Sequence, residues 1–101
     1  MLKKDYAKNR KTCKVTFSLP ARVAADAKTV TLVGDFNSWS QEATPLKLGE
    51  DGLWTATLAL EAGREYHFRY LIDGRTWEND WNADKYVPSP YGDADNSVVI
   101  V

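Results

Sequence analysis

Apolar side chains recur at every second position in four stretches of this chain. A period of two is the mark of a strand buried on one face. In Cys13–Leu19, Val15, Phe17 and Leu19 share a face, and Pro20 stops the run. Val30 and Leu32 alternate with Thr31 and Val33, up to Gly34. In Leu53–Leu60, Trp54, Ala56, Leu58 and Leu60 point inward, and Thr55 and Thr57 point outward. Glu65–Ile72 is the clearest strand: Tyr66, Phe68, Tyr70 and Ile72 on one face, His67, Arg69 and Leu71 on the other. Ser97–Val101 is continuously apolar, which predicts a last strand buried on both sides.

Turn residues separate these runs. Gly34 frees the backbone, and Asp35, Asn37 and Ser38 turn it, with Phe36 the apolar anchor inside the turn. Asp51-Gly52 between alternating runs predicts a hairpin, Glu61–Arg64 is the next turn, and Asp73-Gly74 reverses the chain into Arg75-Thr76-Trp77. Residues 21–28 read as a loop. Residues 41–51 do too, apart from a short strand at Leu46 and Leu48. Residues 1–12 carry Lys3, Lys4, Lys8, Arg10 and Lys11 with little apolar content, and read as a flexible, solvated basic arm. Glu78–Asn96 is polar, broken by Pro88, Pro90 and Gly92, and reads as a long irregular loop held by its aromatic residues. Six or seven short strands without a long amphipathic helix predict an all-β fold, an immunoglobulin-like antiparallel β-sandwich over residues 13–101.

Composition narrows the chemistry. The 101 residues carry a net charge of −1, so no global field attracts nucleic acid or anionic lipid. One cysteine, Cys13, and one histidine, His67, exclude an internal disulfide and a Cys/His zinc set. Asp93-Ala94-Asp95-Asn96-Ser97 lacks the central Gly and terminal Glu of a calcium loop. No metal or cofactor is expected. The first residues lack the apolar core of a signal peptide, and no apolar run reaches membrane-spanning length; the expectation is a cytoplasmic protein. Glu78, Asp80 and Asp84 read as solvated loop carboxylates rather than a catalytic pair fixed across a cleft. What stands out is aromatic: four Trp and five Tyr. Trp54 reads as core; Trp81 reads as packing for the long loop in preference to widening a ligand platform. Trp39 follows the tight turn in a polar setting, a candidate for lying flat against a ligand.

With these residues in view, the chain resembles carbohydrate-binding module family 48, the glycogen-binding early-set domains. Val33-Gly34-Asp35-Phe36-Asn37-Ser38-Trp39 matches the family's opening motif. Phe68-Arg69-Tyr70-Leu71-Ile72-Asp73-Gly74 followed by Trp77 matches its hairpin, and Tyr91-Gly92 with Asn96-Ser97-Val98-Val99 its closing loop and strand. The resemblance implies a non-catalytic module for α-1,4-glucan: glycogen, starch or maltooligosaccharides. It implies glucose stacked on Trp39 and Trp77, hydroxyls bonded by Arg69 where the family usually has Lys, and contacts from the closing loop. There Tyr91 stands in for an aliphatic residue, and Asp93 and Asp95 replace Thr and Asn, with Asn96 beside them. A partner enzyme of glycogen metabolism is a second implied partner. The competing reading is a structural or protein-interaction domain of the kind fused to glycoside hydrolase family thirteen barrels, with no sugar binding.

The physical case for these residues is direct. A glucose ring offers a patch of axial C–H groups to an aromatic face and a rim of hydroxyls to planar donors and to acceptors. The hairpin sets a geometric condition. A two-residue loop puts Trp77 opposite Tyr70 on the core face. A three-residue loop of Ile72-Asp73-Gly74 puts it opposite Arg69 on the outer face, as binding requires.

Overall fold

A computed structural model of the protein describes residues 2–89 and 94–101. Its strands are β1 (Leu2–Tyr6), β2 (Thr12–Pro20), β3 (Val30–Gly34), β4 (Lys47–Leu48), β5 (Leu53–Glu61), β6 (Glu65–Ile72), β7 (Thr76–Glu78), β8 (Lys85–Pro88) and β9 (Asp95–Ile100). They form two antiparallel sheets, one ordered β1-β2-β5-β4, the other β3-β6-β9-β8 with β7 paired to β6. The fold is the expected all-β sandwich of immunoglobulin-like, early-set type.

The core lies where the period-two pattern places it. Cys13, Val15, Phe17 and Leu19 of β2 face Phe68, Tyr70 and Ile72 of β6, with Leu32, Trp54, Leu60 and Val99 closing around them. The rings of Phe17 and Phe68 meet edge to face at 5.0 Å, the geometry in which aromatic quadrupoles attract. On β9, Val98 and Val99 are both buried, so the middle of the last strand is covered on both sides as expected, while Ile100 at its end is 42% exposed. The outward face of the second sheet is itself partly apolar. By register, Val33 and Leu71 share the face of Arg69, and Val98 the face of His67. All three are buried.

The structure differs from the sequence reading in several places. The basic arm is in part a strand: Leu2 pairs with Phe17, Lys4 with Val15 and Tyr6 with Cys13. Leu2 packs on the core, and the Lys4 ammonium meets the carboxylate of Asp84, the residue before β8, at 2.7 Å. A strand with one Leu among lysines shows no alternation to read, and lysine suits an unpaired sheet edge. The long loop after Glu78 contains β8, paired to β9 from Lys85 to Pro88; Pro88 ends it on a sheet edge, where proline is tolerated. Asp80, expected in solvent, is fully buried at 0% exposure. Trp81, expected to pack the loop, is 59% exposed.

The segment around Leu46 and Leu48 serves both sheets. Pro45 bridges to Thr31 and the Leu46 N–H donates to the Val30 carbonyl at 2.8 Å, on the second sheet. Two residues on, Lys47 and Leu48 pair with Thr55 and Trp54 on the first. Gly52, at φ 78, then supplies the left-handed residue that closes the β4–β5 hairpin.

Candidate functional site

The turn after β3 is built from its own side chains. Phe36 drops into the core, 5.4 Å from the Phe17 ring and 6.5 Å from that of Phe68. The Asn37 Oδ1 accepts from the Gly34 N–H at 3.1 Å, while Nδ2 donates to the Leu32 carbonyl at 2.9 Å and Thr44 Oγ1 at 3.1 Å. These bonds close a 3-10 turn over Asp35–Asn37. Ser38 and Trp39 follow with φ 57 and 58, two left-handed non-glycine residues in succession. Such backbone persists only where its surroundings hold it, and here the Trp39 N–H donates to the Gly34 carbonyl at 2.8 Å.

Asp35 sets the Trp39 ring. Its Oδ1 accepts from the Trp39 indole Nε1 at 2.8 Å, and its Oδ2 from the His67 backbone N–H at 2.7 Å. One carboxylate thus ties the indole to β6. The indole is 37% exposed and leaves part of its surface open. Asp35→Ala removes both acceptors. It is expected to cost about 1–2 kcal/mol of stability, and to speed solvent exchange of the Trp39 Nε1 proton severalfold by NMR, while Asp35→Asn keeps one of the bonds.

The second Trp comes from the β6–β7 hairpin. Asp73 and Gly74 are left-handed, at φ 53 and 70, and the Arg75 N–H donates to the Ile72 carbonyl at 3.1 Å. The Asp73 Oδ1 accepts from the N–H groups of Lys28 at 2.8 Å and Thr29 at 2.9 Å. The Thr29 and Lys28 backbone bonds, in that order, hold its carboxyl below the usual range. Ile72 pairs with Thr76 and Leu71 with Trp77. The connection is therefore Asp73-Gly74-Arg75, which takes in Arg75 rather than Ile72. Trp77 stands opposite Leu71, not Arg69, yet on the outward face that the three-residue alternative required. It is 41% exposed.

Arg69 lies between the two attachment points on β6. Glu78, next to Trp77 on β7, accepts from the Trp81 Nε1 at 2.9 Å. Arg69 Nε donates to Asn96 Oδ1 at 2.8 Å and Nη2 to the Ala94 carbonyl at 3.2 Å. Asn96 is 5% exposed, so its carbonyl oxygen serves the protein rather than solvent. Asp95 is exposed at the start of β9, and its carbonyl accepts from Asn79 Nδ2 at 2.9 Å. Tyr91 and Asp93 lie outside the described residues.

The structure thus gathers Trp39, Arg69, Trp77 and Asn96 around one strand, β6. Two residues that position this region, Asp35 and Asp80, were not singled out in the sequence. Asp35 was legible only as a turn former. Asp80 had one signal, the inward face of Tyr70, whose hydroxyl needs a buried acceptor. Among the described residues, no group of three or more His, Cys, Asp or Glu is placed to hold a metal ion. No helix is long and apolar enough to cross a membrane.

A sandwich with half-exposed tryptophans on a tight turn and on a short strand, both beside β6, has the build of a carbohydrate-binding module. The chain belongs to carbohydrate-binding module family 48, described as the isoamylase N-terminal domain, whose model matches residues 6–92. The family is one of carbohydrate-binding, non-catalytic modules. No curated protein matches the chain in sequence.

Proposed function

We propose that this module binds α-1,4-linked glucan, as glycogen, starch or maltooligosaccharide, with Trp39 and Trp77 as stacking rings and Arg69 as a hydroxyl donor between them. The observation that carries this reading is the mounting of the rings. The Trp39 turn is tied to β6 at His67 and Trp77 pairs with β6 at Leu71, about 13 Å along the strand at 3.3 Å per residue. Both indoles keep an open surface, at 37% and 41% exposure. Exposed faces of this kind suit the C–H patches of successive sugar rings. Two of the guanidinium donors of Arg69 are taken by Asn96 and Ala94, and the rest of its five remain for hydroxyls.

Each stacked ring is worth about 0.5–1.5 kcal/mol beyond its buried area. With a few solvent-competed hydrogen bonds, this gives a Kd of roughly micromolar to millimolar for short oligosaccharides. Polymeric glucan offers repeated sites and tighter retention. The test is retention on immobilised glycogen or amylose. Wild type is expected to be held back, and Trp39→Ala and Trp77→Ala to run through with unchanged urea midpoints. Wild type that runs through unretained leaves a scaffold or protein-interaction domain instead. Reducing sugar released from maltoheptaose by the pure protein would count against a purely binding role.

A further inference from the structure

Trp81 is the most exposed of the large apolar side chains among the described residues, at 59%, and it is not loosely placed. The residue before it is the most firmly held in the turn. The Asp80 N–H donates to Ser97 Oγ at 2.9 Å, its Oδ2 accepts from the Tyr70 hydroxyl at 2.8 Å, and its Oδ1 accepts from the Asn82 N–H at 2.8 Å. The Tyr86 hydroxyl, donating to the Asp80 carbonyl, closes the same turn. The indole Nε1 of Trp81 then donates to Glu78 Oε1 at 2.9 Å, which fixes the ring. The fold thus fastens a buried pedestal to β6, β8 and β9 of the second sheet and leaves the ring on top of it in water.

Trp81 is not an extension of the Trp77 surface. Trp77 and Glu78 are successive residues of β7 and point to opposite sides of it. The ring held by Glu78 therefore belongs to the flank of the sandwich, around the β7 edge from the outward face. Beside it stand the Glu78 carboxylate, with acceptor capacity beyond the bond to Trp81, Asn82, the next residue and exposed, and Tyr86, 44% exposed with its hydroxyl on the same turn. One or two rings among polar groups are too small for a stable protein interface, which needs on the order of 1,000 Å², and are not the broad apolar patch that marks one. They match one sugar ring: an aromatic face for C–H groups, a carboxylate and an amide for hydroxyls. A ring fixed before binding also gives up little conformational freedom on contact.

We propose that Trp81, with Glu78 and Asn82, forms a second saccharide-contact site, separate from the Trp39 and Trp77 face and taking a glucosyl unit of the same polysaccharide. The choice of sugar rests on the function proposed above; the separateness of the site does not. Two weak sites on one small domain would engage two stretches of a polymer and convert the second contact into an intramolecular one.

The experiment is an NMR titration of the four indole N–H signals, assigned by single Trp→Phe variants, with maltoheptaose. The Trp81 signal is expected to shift with its own saturation curve, and to keep shifting in the Trp39→Ala/Trp77→Ala variant. Trp81→Ala is expected to bind maltoheptaose at the first site within about twofold of wild type, and to lose about tenfold in retention on glycogen. A stationary Trp81 signal while Trp39 and Trp77 move overturns the second site and leaves the first. If only Trp81 moves, the second site stands and the first falls. If none moves, both fall. A Trp81 shift that follows protein concentration without sugar overturns the proposal in favour of a second copy of the chain as occupant.

Discussion

Gly34→Ala is expected to lower the free energy of unfolding by about 2–3 kcal/mol, the range for overpacking a closed site, read as a fall in the urea midpoint at constant slope. The cause is space rather than backbone freedom, because Gly34 is extended at φ −175. A Cβ there would lie 2.5 Å from the His67 carbonyl oxygen, 2.8 Å from Phe68 Cβ and 2.9 Å from Phe36 Cζ. The first two neighbours belong to the main strand of the sheet and cannot step aside. The third is the ring that pins the turn. Accommodating the methyl means lifting Phe36, and with it the Asp35 bonds to His67 and Trp39. The same variant should therefore alter the environment of Trp39, seen in its indole N–H signal, even where the fold survives.

Asp80→Ala is expected to cost about 2–4 kcal/mol in the same measurement. Alanine leaves the Asn82 N–H without its Oδ1 acceptor and the Tyr70 hydroxyl with only the Ser18 carbonyl, 3.3 Å away. A buried donor that loses its better acceptor, as the Tyr70 hydroxyl does, costs about 1–3 kcal/mol, and the lost side-chain volume adds to it. Asp80→Asn should cost less, about 1 kcal/mol, because the Tyr70 hydroxyl can turn its proton to the Ser18 carbonyl and accept from the new amide. Tyr70 remains a donor well beyond neutral pH. Burial first, then the Asp80 charge and its hydrogen bond, push its phenol well above the ordinary value. A raised folded-state value means the unfolded chain loses this proton first as pH climbs. The contribution is whole below about pH 10 and declines above it.

These residues show what the sequence could and could not reveal. The β2, β5 and β6 cores were legible because a strand with one buried face writes itself as alternation, down to the inward Tyr70 and outward Arg69. Trp54 in the core and an exposed Trp39 after a tight turn were legible from their neighbours. The β1 strand was not, because Lys3, Lys4 and Asp5 give an edge strand no apolar rhythm. Neither was Asp80, because burial of a carboxylate depends on Tyr70 and Ser97, which are 10 and 17 residues away. The hairpin register turned on whether Ile72 or Arg75 joined the loop, a choice made in part by the Asp73 carboxylate bonding Lys28 and Thr29 across the fold. Trp81 was misread because a large ring in a polar segment looks like packing until its surroundings are seen.

The passage from Thr44 to Leu48 has a mechanical consequence. Over a few residues it hydrogen-bonds first to β3 and then to β5, so a single piece of main chain is stitched to both layers. Shear of one layer across the other must tear bonds on both sides of that stitch at once. The two sheets are thereby coupled along this side by backbone as well as by side-chain contact, and the Trp39 turn, fastened to Thr44 through Asn37, sits at the seam where such slippage is most strongly opposed.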